Sequence, residues 1–248
     1  MNFKDHFSGH ADLYAQARPR YPDALFEWIA TEAPTHDCAW DAGCGNGQAS
    51  VALARHFERV IATDPSEKQL GNAVAHAHIE YRNEAAERTS IANHSVDAVT
   101  IAQALHWFDL PAFIREVRRV AGPGALFAAW CYANCSATSA VDAVIAHLYD
   151  DILGQYWSPE RRLVDEGYAS LEIPFAPVAA PAMEMRVDWD ARQLLAYLAS
   201  WSAAQRHLKL TGNDAIAAIA DRLLAAWGDV EQIRPVRWDI AVRAGRVT

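Results

Sequence analysis

Trp40-Asp41-Ala42-Gly43-Cys44-Gly45-Asn46-Gly47-Gln48 decides the fold of this chain. Residues 37–41 read as a buried strand, and a helix is expected to open at Gln48. Glycines at every second position turn the backbone between the two, and residues without a Cβ let main-chain N–H groups come close to a ligand. Val60-Ile61-Ala62-Thr63 reads as a second strand that ends on Asp64, 21 positions beyond Gly43. An acidic residue at that spacing is placed to accept hydrogen bonds from a ribose. The two stretches together imply an adenosine-binding half-site.

The glycine pattern argues against a dinucleotide. A dinucleotide fingerprint is G-x-G-x-x-G, whose third glycine permits close helix–strand packing beside a pyrophosphate. Here the pattern is G-x-G-x-G, and Gln48 stands where that third glycine belongs. The chain also lacks a G-x-x-x-x-G-K-[ST] phosphate loop. Asp41, at the strand end, would repel a pyrophosphate and suits a cationic ligand.

Composition narrows the class further. The 248 residues are 52% hydrophobic and carry nine Trp, enough for one large α/β domain or a domain with a substantial insertion. Net charge is -9, so an extended nucleic-acid face is not expected. No apolar run approaches the roughly 20 residues that span a bilayer, and the N-terminus lacks a signal-peptide layout; a cytoplasmic protein is expected, with no membrane partner. Cys38, Cys44, Cys131 and Cys135 are too few and too scattered for a disulfide framework, and no ligand spacing suggests a metal.

Strands and helices alternate through the first half. Pro22 is placed to open a helix over residues 23–32, and further helices are expected over 48–57, 67–75 and 111–120. Strands are expected over 37–41, 59–63, 79–82, within 95–103 and over 125–130, with residues 83–94 as loop and Gly122-Pro123-Gly124 as a helix end followed by a turn. This alternation means a mostly parallel sheet covered on both faces. After Trp130 it breaks: helices over 139–153, 158–167, 191–200 and 214–227, a strand over 182–189, and a last strand in which Val236, Trp238, Ile240 and Val242 alternate with polar or small residues. The expected organisation is an N-terminal lid and first helix (1–36), a cofactor-binding core (37–132), a mainly helical substrate cap with part of the sheet (133–235) and a terminal strand returning to the core (236–248).

At this point the sequence resembles the class I S-adenosylmethionine-dependent methyltransferases, and within them the small-molecule branch typified by trans-aconitate methyltransferases. The matching stretches are Tyr14 with Arg18-Pro19 and Tyr21-Pro22, residues 40–48, Ala62-Thr63-Asp64-Pro65-Ser66, Ala86-Glu87, Gln103-Ala104-Leu105-His106-Trp107-Phe108-Asp109, and residues 115–120 through Pro123-Gly124. The resemblance implies a Rossmann-like, doubly wound sheet of seven strands, the last antiparallel. It implies S-adenosyl-L-methionine as cofactor, S-adenosyl-L-homocysteine as product and a small-molecule methyl acceptor. Carried over, Gly43, Cys44, Gly45 and Gly47 would line the methionine and ribose, Asp64 with Pro65 the ribose hydroxyls, and Asp41 the methionine amino end. Ala86 and Glu87 match the segment that meets adenine, although the Leu-Pro that commonly follows is missing. Gln103 is expected near the methionine tail, and Tyr14 and Arg18 resemble a lid over the cofactor.

Methyl transfer from a sulfonium is an in-line displacement in which positioning supplies most of the catalysis. An ionised carboxylate acceptor needs no base; a hydroxyl or amine needs one within hydrogen-bond reach. His106, after the fourth strand, is the candidate for catalysis or substrate orientation. The alternative is that His106 and Trp107 shape and close the pocket. Trp107, Trp130, Tyr132 and Trp201 are candidates for an aromatic wall, each with core packing as its alternative, and Arg161, Arg162 and Arg206 could receive an acidic substrate. The expected activity is O-methylation of a carboxylate or hydroxyl. Methylation at nitrogen or carbon, and nicotinamide-dependent oxidoreduction, stand as alternatives.

Overall fold

The computed structural model describes residues 19–248; Tyr14 and Arg18 lie outside them. Helix α1, Asp23–Glu32, starts at Pro22 in extended geometry and buries Leu25, Phe26 and Ile29. It leads into β1 (Cys38–Ala42), the glycine turn, α2 (Gln48–Leu53), β2 (Arg59–Thr63), α3 (Glu67–Leu70) and β3 (Ile79–Arg82). A loop then runs to β4 (Val96–Ala102), a 3-10 turn at Leu105–Trp107, α4 (Leu110–Val120) and β5 (Ala121–Cys131). Asp109 caps α4 by accepting the Ala112 N–H, with Pro111 in the first turn.

The sheet order is β3-β2-β1-β4-β5, all parallel, followed by the antiparallel terminal strand β8 (Arg234–Arg246). This is the doubly wound arrangement, with the strand order reversing between β1 and β4. The outermost position is divided between two segments pairing with β8. The short β6 (Ala176–Pro177) meets residues 245–246, and β7 (Met183–Trp189) meets residues 234–240. The sheet thus has eight strand segments, not seven undivided strands.

Side chains alternating along β5 go to opposite faces, as the two-residue period of a strand requires. Leu126, Ala128 and Trp130 join the cluster that holds α1 and α2, while Phe127, Ala129 and Cys131 join Phe113, Ile114 and Val117 of α4. Trp40 is fully buried and its indole N–H donates to Thr63 Oγ1 at 2.9 Å, locking β1 to β2. Between β5 and β8 lie α5 (Ser139–Ala146), a π-helical stretch (His147–Ile152), a 3-10 turn (Gly154–Tyr156), α6 (Arg161–Asp165), α7 (Ala191–Ala199), α8 (Ser202–Thr211) and α9 (Ala220–Trp227). Trp189, Tyr197 and Trp238 pack edge to face or tilted with centroids 5.2–5.5 Å apart, so α5, α7, α8 and α9 share a core with β8, whereas Val164 of α6 joins the cluster of the other face.

Several element boundaries differ from the sequence expectation. The helix beyond Ser66 stops at Leu70, with Gly71 as C-cap, and that beyond Gly47 stops at Leu53. Gly122-Pro123-Gly124 lies inside β5: Val96 pairs with Ala121 and Ala98 with Leu126, so the expected turn survives as a bulge in the strand. Helix α8 had no counterpart in the sequence reading. Its stretch SAAQRHLKLT is mostly polar, and only Ala203 and Ala204 are buried. The helix expected over 214–227 starts at Ala220.

Candidate functional site

The carboxyl ends of the parallel strands share one edge, and the chemistry-bearing segments leave from it at the point where the strand order reverses. After β1, Gly43, Gly45 and Gly47 all take positive φ (68, 57 and 83°). The Gly43 and Cys44 N–H groups donate to Thr63 O at 2.8 and 3.0 Å, so the loop is hung from the end of β2. A Cβ on Gly43 would stand 2.8 Å from Ala104 Cβ and 2.9 Å from Phe108 Cζ, which puts the segment after β4 hard against the loop. A Cβ on Gly47 would run into the Tyr81 hydroxyl. Gly45 differs: a Cβ there meets nothing within 4 Å, so the loop opens onto space at its middle glycine.

Asp64 is buried, and its carboxylate faces that loop. Oδ2 accepts the Gly45 N–H at 2.9 Å and Oδ1 accepts the Ser66 N–H at 2.8 Å. Asn83 donates to Asp64 O at 3.0 Å, tying the tip of β2 to the loop after β3. Pro65 is partly exposed beside it.

Asp41 is fully buried. Ser50 donates to its Oδ2 at 2.6 Å and Thr100 to its Oδ1 at 3.3 Å. Burial is the main influence on this carboxyl and raises its pKa to about 6. The two hydroxyls oppose that shift and Asp64 adds to it. The Cys44 thiol, next in the loop, is pushed well above its ordinary value by burial and then by Asp41 and Asp64. The loop is thus set in a region of negative charge, which favours a cationic ligand.

Ala86 is buried, and Glu87 Oε1 accepts the Asp109 N–H at 2.9 Å, joining this segment to the start of α4. Gln103 holds a positive φ of 56°, a conformation that costs a non-glycine residue about 1 kcal/mol or more. Its side chain explains the tolerance, since it donates to Tyr132 O at 2.8 Å and accepts the Tyr132 N–H at 3.0 Å, pinning the ends of β4 and β5 together.

His106 sits on the 3-10 turn that follows. Its Nδ1 lies 2.9 Å from the hydroxyl of Tyr168, and its ring centroid is 4.6 Å from that of Trp107. Burial, and secondarily the charge of Arg161, lower the imidazole pKa to about 3. Among the candidate wall residues, Trp130 is fully enclosed against Tyr21 and Phe26, and Trp201 packs with Tyr149, Trp157 and Tyr197; both are core side chains. Tyr132 is buried beside them, and Trp107, only partly buried, is the wall residue that stands with His106.

The three candidate arginines separate clearly. Arg162 is 75% exposed and pairs with Glu166; Arg206 is exposed. Arg161 is 19% exposed and stacks over Trp157 and Tyr149, 4.9 and 5.4 Å from the ring centroids. Residues that sequence reasoning missed include Ser50 and Thr100, whose hydroxyls hold Asp41, and Tyr168. Among the described residues no group of three His, Cys, Asp or Glu side chains could hold a metal ion, and no helix is long and apolar enough to cross a membrane.

With this geometry in view, similarity to known proteins is informative. Residues 40–129 match the methyltransferase domain family. A candidate methyltransferase of Dictyostelium discoideum is 34% identical over 229 residues, covering 91% of this chain and 87% of that relative. The solved structure of a candidate type II methyltransferase from Anaeromyxobacter dehalogenans is 47% identical, with a TM-score of 0.88, covering 93% of this chain and 98% of that one. A candidate S-adenosylmethionine-dependent methyltransferase of Saccharomyces cerevisiae is 29% identical over 162 residues, 60% of this chain and 56% of its own length. These matches set aside the nicotinamide-dependent alternative, and the chain belongs to the class I S-adenosylmethionine-dependent methyltransferases.

Proposed function

We propose that the chain O-methylates a small acidic metabolite at a carboxylate, within a cytoplasmic, non-nucleic-acid setting. The observation that carries this reading is His106. It stands on the turn packed against the glycine loop, yet burial and Arg161 hold its pKa at about 3. Its protonated form is disfavoured there, so the ring is a weak acceptor for the proton of a hydroxyl or ammonium group. A carboxylate is already ionised and requires no base.

The residues present fit the cofactor. Gly45 opens onto free space beside Asp64, and a buried acidic pair, Asp41 and Asp64, borders the loop. Asp64 with Gly43, Gly45 and Gly47 would hold the ribose and methionine portions, Ala86 and Glu87 the adenine edge, and Gln103 the methionine tail. When bound, S-adenosylmethionine supplies an electrophilic methyl: an acceptor oxygen pair forms the O–CH3 bond, and the S–C pair stays on sulfur as a neutral thioether. The protein's part is to hold the acceptor oxygen in line and to exclude water.

The test is a panel of small carboxylic acids, phenols and amines incubated with methyl-labelled donor. Labelled esters from the acids are expected. Labelling of phenols or amines alone would overturn the carboxylate reading and leave the methyltransferase family intact.

A further inference from the structure

Helix α6 packs against the 3-10 turn that carries His106, and this contact brings together three groups the family resemblance did not connect. Tyr168 is fully buried and holds a positive φ of 60°, directly after Gly167 at the same angle. A bulky aromatic residue rarely adopts that conformation, and where it persists the surroundings over-determine it. Its hydroxyl reaches His106 Nδ1 at 2.9 Å. With the phenol O–H as donor to Nδ1, the ring proton of neutral His106 stands on Nε2, for which no protein partner occurs among the described residues.

Arg161 completes the group. Its Nε–H is shared by Tyr149 Oη at 2.8 Å and Asp165 Oδ1 at 3.0 Å, and the plane is held over Trp157 and Tyr149. Both terminal amino groups, Nη1 and Nη2, have no partner among the described residues. A stacked guanidinium with its fork unspent is organised for a planar, two-oxygen anion. It stands at the first position of α6, the helix that packs against the turn carrying His106, and its charge helps to keep that imidazole neutral.

We propose that Arg161 and His106 form the acceptor's carboxylate subsite, the guanidinium fork supplying charge and the Nε2–H a directional hydrogen bond, with Tyr168 as the positioning residue that fixes the imidazole tautomer. This rests on the carboxylate reading above and adds which side chains select the acceptor.

The experiment uses the full chain saturated with S-adenosylhomocysteine. Malonate, glutarate, benzoate and tricarballylate are titrated by calorimetry, and the same acids are then assayed with labelled S-adenosylmethionine. In Arg161→Met, acceptor KM or Kd is expected to rise by on the order of tenfold or more, the scale of a lost charge-assisted hydrogen bond, while the Kd for S-adenosylhomocysteine stays within about twofold. Tyr168→Phe is expected to raise KM and to introduce a pH dependence absent from the parent, because the imidazole then exchanges tautomers and protonates more readily. His106→Gln, which keeps an N–H donor, is expected to retain more acceptor affinity than His106→Leu. Unchanged acceptor KM in Arg161→Met overturns the subsite while leaving carboxylate methylation standing. If that variant does not fold, unchanged KM in both Arg161→Lys and His106→Leu overturns it equally. A parent enzyme that binds and methylates none of the acids overturns the carboxylate reading itself.

Discussion

Asp64 Oδ2 accepts the main-chain N–H of Gly45 at 2.9 Å, so the tip of β2 holds open the middle of the loop that follows β1. Its other oxygen takes the Ser66 N–H. One carboxylate therefore fixes the loop, and in the proposed reading it is also the ribose contact. Asp64→Ala leaves two N–H groups without their acceptor, and each such loss costs about 1–3 kcal/mol. Denaturant unfolding is expected to show a loss on that scale. Calorimetry is expected to show S-adenosylhomocysteine affinity reduced by on the order of 1–3 kcal/mol, and an unaltered cofactor Kd would show that the contact is elsewhere.

The glycines separate packing from binding. Gly45→Ala places its methyl in open space, so its stability cost is only that of φ 57° for a residue with a Cβ, about 1–2 kcal/mol. Its effect on cofactor affinity is expected to be much larger than that. Gly47→Ala has the same backbone penalty plus a collision with Tyr81. Stability is expected to fall further, with Tyr81→Phe restoring part of it, since the hydroxyl is the nearest obstructing atom. Equal stability losses at both positions, with equal effects on binding, would remove the argument that Gly45 faces the ligand.

Much of this was legible beforehand, for reasons that are local. Strands β2 and β3 fall where the sequence placed them because apolar runs between turn residues leave little freedom, and the glycine spacing has few uses besides a tight turn after a buried strand. The Asp64–Gly45 relationship follows from two adjacent parallel strands ending together. What stayed hidden depends on contacts distant in sequence. Tyr168 reaches His106 across 62 positions, and no period or motif announces a lone tyrosine in a loop. Helix α8 exposes most of its length and so carries no apolar stripe. Arg161 differs from Arg162 only through the aromatic pair that stacks on it.

Asp41 offers a pH test with a definite sign. Burial raises its folded pKa to about 6, above the value near 4 of an unfolded aspartate. Between those values the folded chain binds the extra proton. Stability is therefore fully present below about pH 4 and falls as pH rises through about 6, by roughly 3 kcal/mol for a shift of this size. Asp41→Asn is expected to flatten this dependence and to stabilise the unliganded protein at pH 7 by on the order of 1–3 kcal/mol. The same variant is expected to bind the sulfonium cofactor more weakly. A parent whose stability does not fall between pH 4 and 6 relative to Asp41→Asn would mean the carboxyl is ionised at no cost.

His106 makes the opposite prediction for turnover. Its folded pKa of about 3 lies below that of an unfolded histidine, so the chain is destabilised by this group as pH falls from about 6.5 toward 3. Above about pH 6.5 the imidazole is neutral in both states and nothing further changes. For a carboxylate acceptor, kcat is accordingly expected to be flat from pH 6.5 to 9, with no inflection belonging to His106. A transfer in which this ring takes the acceptor's proton would instead lose kcat by a large factor in His106→Gln and show any inflection at the ring's own pKa in the liganded enzyme. Profiles of the parent and His106→Gln decide between them: an inflection between pH 6 and 7 that vanishes in the variant would make His106 a proton acceptor. Superimposable, flat profiles with a raised KM in the variant are the outcome expected of a hydrogen-bond donor.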